Sequence, residues 1–274
     1  MIDIGVNLLH PQFDDDREAL LERAWAAGLS HIILTGTDLE GSRAGADYIA
    51  DHIAASGKNA AAAGRTRRLS CTAGIHPHDA AGAPDDWRDR LEALARRPEV
   101  VAIGETGLDF HRDYSPRPLQ ERLFRGQLEL AASLDLPVFV HDRDAGDTVA
   151  DCLRTKPGGA AGVVVHCFTG DRHALHRYLD LGCHIGITGW VCDRRRGAEL
   201  RDLVADIPLD RLMVETDAPF LRPHDAPKDV HGRRNEPALL PWIVRRLAER
   251  YGCDEDELAT RTAANARRFF RLAD

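Results

Sequence analysis

Val100-Val101-Ala102-Ile103-Gly104-Glu105-Thr106-Gly107-Leu108-Asp109 begins as an apolar run and passes through a carboxylate flanked by glycines. A short run rich in β-branched residues reads as a buried strand, here Val100 to Glu105, with the glycine after it as a turn. Burying the charge of Glu105 at a strand end is costly unless a cation or hydrogen-bond donors meet it. A metal ion would meet it.

Outward from this stretch the same strand-then-helix pattern recurs. Strands are expected at Ile2 to Leu9, His31 to Gly36, Leu69 to Gly74, Val100 to Glu105, Pro137 to His141, Gly162 to His166, His184 to Gly189 and Leu212 to Asp217. Helical patterns lie between them, among them Asp14 to Ala27, Asp85 to Arg96, Leu119 to Leu134, His173 to Leu181 and Ala198 to Ala205. Two more helices, Glu236 to Tyr251 and Asp254 to Leu272, follow the eighth strand, the second opening with Asp254 and Glu257 in a capping-box-like arrangement. Eight alternations argue for an α/β fold of the (β/α)8 TIM-barrel class. An open doubly wound sheet is the rival, but no GxGxxG turn opens the chain.

The 274 residues, 43% hydrophobic and 29% charged, suit one large core, and no Pro/Gly-rich linker divides them. One domain over residues 1–274 is expected, with the Ala-rich run Asn59 to Gly64 as a loop or ragged helix end. A net charge of -8 excludes an overall positive field toward nucleic acid or anionic membrane, so any polyanion site must be local and metal-assisted. The six cysteines show no CxxC pair, which suits thiols in a reducing compartment and predicts a cytoplasmic protein. Met1-Ile2-Asp3 enters a strand directly, and no run of about 18 apolar residues is present, so neither export nor a membrane is expected. No segment calls for an obligate protein partner.

In a barrel the C-terminal strand ends converge on one mouth. His76 and His78 follow strand three, Glu105 ends strand four, His141 strand five, His166 strand six and Asp217 strand eight. Imidazole and carboxylate ligands together suit a divalent ion, and a shared carboxylate holds two metals about 3.5–4 Å apart in hydrolytic sites. Glu105 is the expected bridge. His76, near its strand end, should point into the site, whereas His78 reads as a solvated loop residue. His10, His173, His176, His224 and His231 read as surface or packing histidines. Glu215 shares a strand face with Asp217, one layer deeper, and is expected to support a ligand by hydrogen bonding, with a direct catalytic role as the alternative.

Around the mouth, Trp190 with Arg194, Arg195 and Arg196, and then Arg222, Arg233 and Arg234, offer aromatic and cationic groups of the kind that grip a single strand. Arg143, just beyond His141, is a further phosphate-binding candidate. The plainer alternative for each is packing or a solvated helix start.

Four stretches, Ala73-Gly74-Ile75-His76-Pro77-His78, Ile103-Gly104-Glu105-Thr106-Gly107-Leu108-Asp109, Val165-His166-Cys167-Phe168-Thr169-Gly170 and Glu215-Thr216-Asp217-Ala218-Pro219, together resemble the TatD family of metal-dependent deoxyribonucleases. Arg234-Asn235-Glu236-Pro237 resembles the family's late motif, and the likeness runs from Ile2 to the last helix. The resemblance implies a barrel of the amidohydrolase-like superfamily that hydrolyses phosphodiesters, as a 3′-5′ exonuclease on ends of single-stranded DNA or RNA, in settings such as DNA repair. By position it implies Glu105, His141, His166 and Asp217 as metal ligands, Asp217 also as general base, and His76 as a substrate-side or catalytic histidine. Most relatives open with Asp-x-His-x-His, but this chain has Asp3-Ile4-Gly5-Val6-Asn7. Gly5 offers no ligand and Asn7 one neutral oxygen, which favours exchangeable Mg2+ or Mn2+ over a tight zinc pair. Two other functions keep the same residues: ester or amide hydrolysis, such as removal of aminoacyl groups from tRNA, and nucleic-acid binding without turnover.

Overall fold

The computed structural model describes residues 1–56, 68–155, 162–195, 197–227 and 234–273. The run Asn59 to Gly64, and with it Arg196, His231 and Arg233, lies outside the described residues.

Eight strands form one sheet in chain order: β1 (Ile2–Val6), β2 (His31–Leu34), β3 (Arg68–Ala73), β4 (Val100–Asp109), β5 (Val138–Arg143), β6 (Val163–Val165), β7 (His184–Ile187) and β8 (Leu212–Val214). Every neighbouring pair is parallel. Parallel strands covered on both faces need apolar residues at successive positions, which runs such as Val163-Val164-Val165 supply. Helices α1 (Arg17–Ala26), α2 (Leu39–Ser56), α3 (Trp87–Ala95), α4 (Arg117–Leu134), α5 (Gly146–Arg154), α6 (Arg172–Asp180) and α7 (Ala198–Leu203) connect them, followed by α8 (Leu240–Tyr251) and α9 (Glu255–Phe270).

The seam between β1 and β8 is closed by few contacts. The Asn7 N–H donates to the Ala218 carbonyl at 2.8 Å and the Asp217 N–H to the Gly5 carbonyl at 2.9 Å. Deeper in, the buried Asp3 carboxylate accepts from both the N–H and the hydroxyl of Thr216, at 2.9 and 2.6 Å. A carboxylate thus substitutes for ladder bonds where the two strands part. Inside the barrel, Ile2, Ile4, Ile33, Ala102, Phe139, Val164 and Met213 form a cluster closed by Phe269 and Phe270 of α9. Their packing makes a floor, so the mouth at the other end is the accessible one.

Two features depart from the expectations. The chain does not turn after Glu105: β4 continues to Asp109, with Gly107 opposite His141 and Asp109 opposite Arg143. The glycines there serve close approach, since a Cβ on Gly107 would collide with the His141 carbonyl oxygen and φ is +137°. Between β2 and β3, α2 spans 18 residues that no helical pattern announces, because Gly41 and Gly45 lower its intrinsic preference. At its start the Asp38 carboxylate accepts from the N–H groups of Glu40 and Gly41, both at 2.8 Å. The Asp254 carboxylate caps α9 from the Asp256 N–H at 2.8 Å, while Glu257 turns forward to Arg261.

Candidate metal centre at the barrel mouth

Glu105 lies mid-way along β4, where the register against β5 shifts between Ile103 and Thr106. Its Oε1 is met by three imidazoles: His166 Nε2 at 2.7 Å, His141 Nδ1 at 2.9 Å and His76 Nε2 at 3.4 Å. Burial opposes ionisation of Glu105, but His166, His76 and His141 together hold its pKa well below the ordinary carboxylate value. His166 is raised well above the ordinary imidazole value by Glu105 and Glu215, against its burial. The cluster thus demands positive charge, and a divalent ion would also supply it.

The residues fit such an ion. Ligand atoms of His76, Glu105 and His141 lie within 4.8 Å of one another, and His166 Nε2 stands 2.7 Å from the same oxygen of Glu105. Their outer nitrogens, however, meet different partners. His141 Nε2 lies 3.5 Å from Asp109 Oδ2, and His166 Nδ1 lies 3.4 Å from Glu215 Oε2. Neither contact is a well-aligned hydrogen bond, so both buried nitrogens, with Glu215 Oε2, remain unsatisfied. A carboxylate behind a histidine is the arrangement that orients the ring with its other nitrogen toward a metal. His76 differs: its Nδ1 accepts from the His78 N–H at 3.1 Å, which leaves the proton of the neutral ring on Nε2, facing Glu105. Burial lowers the His76 pKa and so favours that neutral ring, against the pull of Glu105. In this state His76 is a donor toward the site.

Asp217 stands beyond β8 with φ +53°, and its Oδ1 accepts from Asn7 Nδ2 at 3.1 Å. Burial is the main cause that lifts its pKa to about 7, opposed by His166 and reinforced by Glu105 and Glu215. Glu215 is fully buried, its Oε1 accepting from the Cys167 N–H at 2.5 Å. A Cβ on Gly5 would stand 2.5 Å from Glu215 Oε2, and one on Gly186 2.6 Å from Oε1. The space beside Gly5 is therefore filled by the Glu215 carboxylate.

The sequence-predicted residues thus gather unevenly. Glu105, His76, His141, His166, Asp217, Asn7 and Glu215 converge. Arg143 reaches Thr169 Oγ1 at 3.1 Å, and its guanidinium lies 5.9 Å from the Trp190 ring. Arg194 and Arg195 are exposed. Arg222 and Arg234 take the plainer role: Arg222 binds the carbonyls of Pro223, Ala226 and Pro227, and Arg234 binds Asp16 at 2.8 Å and covers Phe13. His78 is not a solvated loop residue, since its Nε2 is 2.6 Å from Asp109 Oδ2 and its ring lies 4.2 Å from that of His76. Asp109 is the site residue that the sequence reading misses. Burial opposes its ionisation, yet His141, His78 and the Arg112 N–H hold its pKa below the ordinary value. The signal was available, because Glu105, Gly107 and Asp109 alternate on one strand face.

A family model for TatD related DNases matches residues 2–271. The chain belongs to the TatD family. Among curated TatD relatives, a protein of Rahnella sp. named 3'-5' ssDNA/RNA exonuclease TatD is 48% identical over 277 residues, covering 100% of this chain and 99% of its own. Its namesake in Salmonella typhimurium is 44% identical over 272 residues, covering 99% of each. The crystal structure of YJJV, a TatD homolog from Escherichia coli K12, superposes with a TM-score of 0.82 at 30% identity, over 100% of this chain and 98% of that one. A lactonase from Listeria monocytogenes, at 13% identity and TM-score 0.62, shares the barrel fold.

Proposed function

We propose that this TatD-family chain is a metal-dependent nuclease that removes nucleotides from the 3′ end of single-stranded DNA or RNA. The observation that carries the reading is the meeting of three imidazoles on one oxygen of Glu105, in a chain whose curated relatives are named for that activity. His141 Nδ1, His166 Nε2 and Glu105 are the ligands we assign to a divalent ion, with Asp217 beside them. When bound, that ion supplies positive charge for the phosphoryl oxygens. His76 donates a hydrogen bond from Nε2–H to a phosphate oxygen. Asp217, oriented by Asn7, accepts the proton of the attacking water as that water's oxygen bonds to phosphorus. The bond from phosphorus to the 3′ oxygen of the remaining strand breaks, and that oxygen takes a proton from solvent. Arg143 and Trp190 hold the strand, with Arg194 further out.

The carboxylate oxygens of Glu105 and Asp217, with no histidine at Gly5 or Asn7 to add further imidazoles, support Mg2+ or Mn2+ as the ion. Six cysteines present as thiols support a reducing, cytoplasmic setting, where DNA repair or fragment turnover supplies free strand ends. No helix among the described residues is long and apolar enough to cross a membrane. The family match over residues 2–271 supports one catalytic domain.

The test is digestion of 3′-labelled and 5′-labelled single strands by metal-stripped protein with Mg2+, Mn2+ or Zn2+ restored. A metal-dependent ladder from the 3′ end is expected, and Glu105→Ala should abolish it while keeping the far-ultraviolet circular dichroism of the parent. No cleavage with any ion would overturn the nuclease reading in favour of ester or amide hydrolysis.

A further inference from the structure

Among the described residues three large apolar side chains are exposed, Ile53, Tyr114 and Phe220, and two of the three stand at the mouth. Phe220 follows Asp217 in the loop after β8 and meets the His10 ring edge-on at 5.5 Å. Tyr114, in the loop after β4, is 66% exposed. It also begins a chain of ring contacts that runs inward. Its ring lies 4.7 Å from that of His78, His78 lies 4.2 Å from His76, and His76 lies 4.5 Å from His141. Two ring contacts therefore separate an exposed aromatic surface from the histidine that faces Glu105.

The backbone that presents this ring is fixed on both sides. Before it, Asp109 Oδ1 accepts from the N–H groups of His111 and Arg112, at 3.0 and 2.7 Å. After it, the buried Ser115 hydroxyl donates to the His78 carbonyl at 2.7 Å and accepts from the Ala81 N–H at 3.0 Å, while its own carbonyl accepts from Gln120 at 2.7 Å. Asp109 and Ser115 are both almost wholly inaccessible, so the loop is tied down by buried groups. An aromatic ring 66% exposed on an anchored loop leaves most of its surface uncovered in the free protein. A planar partner that stacks on it would gain both the contact and the release of water, without the entropy of ordering a mobile loop.

We propose that Tyr114 stacks the base of the nucleotide at the strand end, adjacent to the scissile phosphate, and thereby makes an unpaired base part of what the site selects. The inference rests on the nuclease reading above. A phosphate beside His76 and Glu105 places the sugar and base of the same nucleotide one to two ring contacts outward, over His78 and Tyr114. A base still paired in a duplex keeps its faces covered by its neighbours and cannot offer one to the ring. Selection of single strands then comes from stacking as well as from the width of the mouth.

The experiment compares oligothymidylate with the same strand carrying an abasic unit at each of the last three 3′ positions in turn. Wild-type protein, Tyr114→Ala, Tyr114→Leu and Tyr114→Phe are assayed with Mg2+ for kcat and KM. Wild type should prefer the base-bearing strand about tenfold in kcat/KM at one of those positions. Tyr114→Phe should keep that preference, and Tyr114→Ala and Tyr114→Leu should lose it, chiefly in KM. A tyrosine that merely covers His78 would instead slow both strands equally, and an unchanged preference in Tyr114→Ala overturns the proposal while the nuclease reading stands. Absence of any preference in the wild type overturns it too. If the wild type cleaves no strand, both readings fall together.

Discussion

Three imidazoles crowd one oxygen of Glu105, yet hydrogen bonding at their outer nitrogens separates their roles. Glu215 behind His166 and Asp109 behind His141 set a carboxylate at the far nitrogen of each ring, the arrangement that lets the inner nitrogen give up its proton and bind a metal ion instead. His76 has the reverse arrangement, because the His78 N–H occupies its Nδ1. Titration with Mn2+ by calorimetry should show the difference. Glu215→Gln is expected to weaken binding about tenfold, in the range typical for loss of such an orienting group. His76→Asn should leave Mn2+ affinity within about twofold of the parent while lowering kcat, as fits a hydrogen-bond donor to substrate. Equal losses of affinity in both variants would place His76 among the ligands.

At the scale of the strand, β1 and β8 are shaped by the Glu215 carboxylate. Gly5 leaves room for Oε2, so a side chain there meets a fully buried group that already accepts from Cys167. Gly5→Ala should therefore destabilise the fold by about 2 kcal/mol, the usual cost of overpacking a filled core, read from denaturant midpoints at constant slope. Glu215→Ala should lessen that cost in a double-mutant cycle, since the two sites are in contact. Additive effects would mean that β1 has slack at Gly5. The same crowding would meet a histidine placed at position 5. Its side chain would have to displace Glu215, which backs His166.

Across the whole molecule, the barrel separates a charged mouth from a base where burial keeps groups neutral. His31 begins β2 at that base, with Nε2 3.0 Å from Ser70 Oγ. Burial, helped by the charges of Arg267 and Arg68, lowers its pKa to about 4. Unfolding returns the ring to about 6.5, so below that pH the unfolded chain binds a proton that the folded chain refuses. The stability this group contributes is full above pH 6.5 and is lost as the pH falls toward 4. Thermal or urea unfolding of wild type and His31→Gln should diverge accordingly. From about pH 6.5 to about pH 5 the wild type should lose roughly 1.5 kcal/mol more than the variant. Parallel pH profiles would show that His31 does not couple folding to protons.

The alternation of apolar runs with amphipathic stretches, and the placing of His, Glu and Asp after those runs, was enough to read the barrel and the composition of its mouth from sequence. Both are local patterns, since the side-chain period of a strand or helix is set within a few residues. Strand β4 escaped its true length because glycine is ambiguous in sequence. Only the pairing of Gly107 with His141 shows that it serves close approach rather than a turn. Tertiary structure alone decided which arginines were spent on structure, as Arg234 is on Asp16 more than two hundred residues away. It also decided that His78 belongs to Asp109, that Glu215 fills the place beside Gly5, and that His76 faces Glu105 with a proton. Those outcomes depend on hydrogen-bond partners brought together by barrel closure, and no spacing along the chain encodes them.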